Sequence, residues 1–117
     1  MSRHATAGKA ILHSLFELKD GVREKGFRVA FDGYVRHLVE MGYAVEGRLV
    51  RRKPLEGFGR RLPDFSYYAA IEFADLKREQ ACYDFVAHNA EPVRSIHAAM
   101  NSQVKRGSAH FFVSYDV

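Results

Sequence analysis

An α+β fold, with one four-stranded antiparallel sheet backed on a single face by helices, is what this sequence predicts. Three observations carry it. Apolar and polar residues alternate in four separate runs, the period of a half-buried strand. Between the first and second runs, and again between the third and fourth, the spacing changes to three and four, the period of an amphipathic helix. The order is then β-α-β-β-α-β, and two split β-α-β units with right-handed crossovers place the strands in the order 4-1-3-2.

Each element has its own justification. Lys9 to Leu18 reads as a strand, with Ala10, Leu12, Ser14 and Phe16 on one parity and Ile11, His13, Leu15 and Glu17 on the other. Asp20-Gly21 breaks it. From Arg23 to Met41, Phe27, Phe31, Tyr34, Val35, Leu38 and Met41 recur at helical spacing, and Gly42 suits a C-terminal cap. Tyr43 to Arg52 is the second strand, with Val45, Gly47 and Leu49 opposite Glu46, Arg48, Val50 and Arg52. Lys53 to Pro63 holds glycines, prolines and bases and reads as a mobile basic loop at a hairpin tip. Asp64 to Phe73 is the third strand, with Phe65, Tyr67, Ala69, Ile71 and Phe73 opposite Ser66, Tyr68, Ala70 and Glu72.

Asp75 is a good N-cap for a helix from Leu76 to His88, whose inner stripe is Cys82, Phe85 and Val86. Pro92 suits the first turn of a further helix running to Val104. Gly107 stops it. Ser108 to Val117 is the last strand, with Ala109, Phe111, Val113 and Tyr115 expected on the core side and His110, Phe112 and Ser114 on the other.

Composition bounds the function. The chain has 117 residues, which suits one domain. Residues 1–8 are expected to be a disordered N-terminus and 9–117 a single domain. The net charge of +4 permits nucleic acid without demanding it. One cysteine, Cys82, excludes an internal disulfide framework and a Cys-rich zinc module, and is expected to be a buried, inert thiol. No apolar run is long enough for a membrane span and no signal-peptide core precedes the first strand. A cytoplasmic location follows as the expectation.

The element order is the ferredoxin-like arrangement, and it leaves the second face of the sheet without helices. That face carries Leu15, Val50, Tyr68 and Phe112, with His13, Glu17, Arg48, Glu72 and His110 among them. An apolar strip of that size is not left in water. A second subunit stacked on it would form a barrel. The segments FRVAFDGYVRHLVEMGY, FSYYAAIEFADLKREQACYDFV and EPVRSIHAAMNSQV, with this open face, resemble the dimeric α+β barrel superfamily over residues 9–117. That superfamily includes cofactor-independent mono-oxygenases of the antibiotic-biosynthesis type, muconolactone isomerase and EthD-like proteins. The resemblance implies a homodimer joined through the open sheet face. For chemistry it implies cofactor-independent oxygenation or isomerisation, with no cofactor.

Candidate chemistry falls into groups. His13, His110 and Glu72 on the open face are the candidate catalytic residues, with Glu17, Arg48 and Tyr68 as ligand-binding neighbours. Imidazoles and carboxylates in a half-apolar cavity suit proton transfer, because burial moves their pKa values towards neutrality. The same groups could instead satisfy each other across a dimer interface, and two histidines and a glutamate could bind metal, although no metal site is expected. Arg94, His97 and Asn101 share a face of the last helix and could hold an anion or a polar substrate. Arg48, Arg51, Arg52, Lys53, Arg60 and Arg61 surround the hairpin. Ser66 to Phe73 partly matches an RNA-recognition strand, but Ala70 stands where a stacking aromatic is needed, so nucleic acid is not an expected partner. The expected function is a homodimer that binds a small, partly apolar organic molecule. The alternatives are a non-catalytic binding or scaffold dimer and an RNA-binding domain.

Overall fold

The computed structural model describes residues 8–55, 57 and 63–117. The expected disordered start falls outside the described residues apart from Gly8, as do Arg60 and Arg61 of the basic hairpin.

The elements follow in the expected order: β1 (Ala10–Phe16), α1 (Glu24–Glu40), β2 (Glu46–Arg51), β3 (Tyr67–Phe73), α2 (Leu76–Ala87), α3 (Val93–Asn101) and β4 (His110–Tyr115). The strands lie side by side as β2-β3-β1-β4, all antiparallel. This is the ferredoxin-like sheet that the sequence predicts. β1 is therefore central, with Leu12 opposite Ile71 on one side and Val113 on the other.

The helices pack over one face. Phe27, Phe31, Tyr34, Val35 and Leu38 of α1 are buried against Ala10 and Phe16 of β1, Leu49 of β2, and Ala69, Ile71 and Phe73 of β3. These are the parities expected for the three strands. Met41 is instead exposed, because it stands at the C-cap of α1, where Gly42 turns the chain at φ 83°. Asp75 caps α2 by accepting a hydrogen bond from the Arg78 amide at 2.8 Å. Cys82 is buried, and burial raises its thiol pKa to about 11. β3 begins at Tyr67 rather than Asp64. Phe65 is still buried, with the Arg52 guanidinium 4.4 Å over its ring.

β4 departs from expectation. Its helix-side residues Phe111, Val113 and Tyr115 were expected in the core but are 64%, 37% and 57% exposed. The reason is the placement of α3, which packs chiefly against α1 and leaves the sheet edge bare. Among the described residues no helix is long and apolar enough to cross a membrane.

Candidate functional site

Two regions gather the candidate residues, one on each face of the sheet. On the bare face, β1 presents His13 between β3 and β4. Its Nδ1 lies 2.6 Å from the Tyr68 hydroxyl and its Nε2 lies 2.7 Å from Ser114 Oγ. A neutral imidazole donates at one nitrogen and accepts at the other, and a hydroxyl serves either role. Phe112, directly opposite in the β4 register, stacks flat on the ring at 4.3 Å and 7°. Partial burial lowers the His13 pKa from its usual value.

The other open-face candidates disperse. Glu72 pairs with Lys9 at 3.5 Å. Glu17 accepts a hydrogen bond from Ser66 Oγ at 2.9 Å. His110 lies two register pairs away from His13, opposite Leu15. Arg48, Tyr68 and Glu72 border one shallow groove with Glu46. The catalytic group expected from the sequence is thus divided among separate contacts, while Ser114, which was not among the candidates, joins His13. Its position on the same parity as Phe112 was the available signal. Among the described residues no group of three or more His, Cys, Asp or Glu could hold a metal ion.

The helix-covered face holds a cavity of about 130 Å³ between α1, α3 and the sheet. Phe16, Phe27, Phe31, Ile71 and Met100 make most of its wall apolar. Four polar side chains interrupt that wall: Ser14, Tyr34, His97 and Asn101. The His97 and Tyr34 rings lie 5.3 Å apart at 57°. Desolvation lowers the pKa of His97 and raises that of the Tyr34 phenol, so both rest neutral near pH 7.

His97 and Asn101 meet here because residues four apart share a helical face. Arg94 does not join them. It turns outward to Glu91, 3.2 Å away, and Glu91 also accepts from the Ser95 amide and hydroxyl. These bonds, those from Ser95 first, hold the Glu91 carboxyl below the usual range. Ser14 and Tyr34 were not among the sequence candidates. Ser14 was legible as the polar break in an otherwise apolar strand parity.

Residues 10–116 match the model of a family of unknown function, DUF6614. No curated protein matches the sequence. Three solved structures share the architecture. SnoaB, a cofactor-independent oxygenase from Streptomyces nogalater, superposes at a TM-score of 0.61 with 11% identity, over 95% of this chain and 94% of that one. A dimeric ferredoxin-like protein of unknown function from a Jannaschia species gives 0.63 and 13%, over 93% and 99%. An ethyl tert-butyl ether d (EthD) family protein from Bacillus halodurans gives 0.56 and 9%, over 93% and 99%. At these identities the likeness is one of fold.

Proposed function

The chain belongs to DUF6614, a family of unknown function, and from the site itself we propose that it is a homodimer whose helix-side cavity binds a small, partly apolar organic molecule. The observation that carries the reading is His97, a half-buried imidazole set beside Tyr34 in a mostly apolar cavity. A neutral imidazole in a dry site is a base. His97 takes a proton from an acidic C–H of the bound molecule, and Tyr34 and Asn101 are the polar side chains beside it. Proton abstraction is a first step available to both isomerisation and cofactor-independent oxygenation. A cytoplasmic location is part of the same reading.

The dimer is supported by shape: the described residues form one sheet with helices packed over a single face, which leaves the opposite face bare. The Jannaschia neighbour is described as dimeric. The open sheet face, with His13, Tyr68 and Phe112, is the contact we propose.

The second reading is a non-catalytic binding or scaffold dimer. It is favoured by His13, whose two ring nitrogens already have hydroxyl partners in Tyr68 and Ser114.

Saturation-transfer NMR with phenol tests the ligand site. Contact is expected in the wild type and in His97→Gln, and is lost in Ala109→Phe, which fills the cavity, with the far-UV spectrum unchanged. Absence of contact with the wild type overturns the reading.

A further inference from the structure

We infer that the cavity takes a small apolar carboxylate, its ring or chain inside and its anionic end held at a rim of Lys19, Lys105 and Arg106. This rests on reading the cavity as a ligand site. A second, open hollow abuts the cavity at the end of α3, and Asn101, Val104 and Ala109 line both. Beyond those shared residues the hollow is bordered by the three cations with Ser102 and Gly107, and no carboxylate lines it. Lys9, Arg51 and Arg94 are taken up by Glu72, Glu24 and Glu91. The three rim cations form no ion pair among the described residues; on their other side Lys105 and Arg106 border a separate hollow with Glu17 and Asp64.

The rim stands on a pinned backbone. The Lys19 amide donates to the Gln103 carbonyl at 2.9 Å, and the Lys105 amide to that of Glu17 at 2.8 Å. Leu18 bridges to Val104 between them. The chain before α1 and the chain after α3 are thereby stitched side by side, which brings Lys19 to the two bases more than eighty residues later. Size limits the apolar part. A cavity of roughly 150 Å³ accepts benzene, so about 130 Å³ accommodates a body near one six-membered ring. Asn101, at the junction, faces the linker between ring and charge.

Isothermal titration of 3-phenylpropionate and 3-phenylpropan-1-ol, a matched anion and neutral alcohol, tests the assignment. In the wild type at low ionic strength the acid is expected to bind about tenfold more tightly, and high salt removes the difference because the rim is exposed to screening. In the Lys19→Gln, Lys105→Gln, Arg106→Gln triple variant the acid falls to the alcohol's affinity and the alcohol is unchanged. Equal binding of the two in the wild type overturns the anion rim while leaving the cavity reading intact. So does an acid preference that survives the triple substitution. Binding of neither overturns the cavity reading and the rim with it.

Discussion

Gly47 lies so close to Val35 that a Cβ at position 47 would come within 2.6 Å of Val35 Cγ2 and 3.0 Å of Cγ1. β2 and α1 thus approach to a distance that only a hydrogen at this position permits. Over-packing a closed contact costs about 1–3 kcal/mol. Gly47→Ala is expected to lower the stability measured by urea unfolding by that amount. Val35→Ala in the same chain should recover part of it, so that the double variant loses less than the two single losses combined. Independent, additive losses would show that the contact relaxes by another route.

Asp75 gives the second expectation. Its carboxylate satisfies the Arg78 amide in the first turn of α2. Removing an N-cap of this kind costs about 1 kcal/mol. Asp75→Ala should lower the denaturation midpoint accordingly, and Asp75→Asn should lower it less. Equal losses for the two would show that charge, not the cap hydrogen bond, carries the effect.

His13 gives the third. Burial lowers its pKa, so the folded site prefers the neutral ring. Above pH 6.5, the ordinary value, the site carries no penalty. As the pH falls through 6.5, a solvated imidazole takes a proton that the buried one resists, and stability is lost. A second sheet over the ring strengthens the effect. The proposed dimer should therefore dissociate more readily at pH 5 than at pH 8 in sedimentation velocity. His13→Gln should flatten that dependence, and His110→Gln should leave it in place. A flat profile in the wild type would show that His13 is not covered by the partner.

His97 gives the fourth. Its titration followed by NMR should have a midpoint below 6.5, because desolvation is what shifts it. Filling the cavity with phenol removes further solvent and should lower the midpoint again. A midpoint at or above 6.5 would mean that the ring is wet or faces an acid, and His97 would lose its role as the neutral base.

The strand parities were legible because one face of β1 and β3 is buried. Ala10, Phe16, Ala69, Ile71 and Phe73 are all in the core, and a slip of one residue would expose the whole set. The stripe of α1 was legible for the same reason. β4 was not. Phe111 and Val113 alternate as core residues do, yet among the described residues no helix packs closely enough to bury them. Alternation reports that a face is apolar, and it does not report what covers it. The candidate site was half legible. His97 and Asn101 are four residues apart on one helix, which is a local relation. Their meeting with Ser14 and Tyr34 depends on how far α3 stands off the sheet, and that distance is set by packing against α1. For the open face, shared parity placed His13, His110 and Glu72 together without fixing which neighbour each would bond.

The central position of β1 bears on how the chain is made. The first strand to be synthesised has both of its neighbours, β3 and β4, still to come. Ala10 pairs with Tyr115, about a hundred residues later. At translation rates of about 5–20 residues per second, β1 waits roughly 5–20 seconds for β4. The sheet therefore closes only after β4 has been made, because β4 is the neighbour of β1 on that side. Until then the edge of β1 that carries Leu12 and Leu15 lacks its later partners Val113 and His110, and that open edge can pair only with β4 or with another chain.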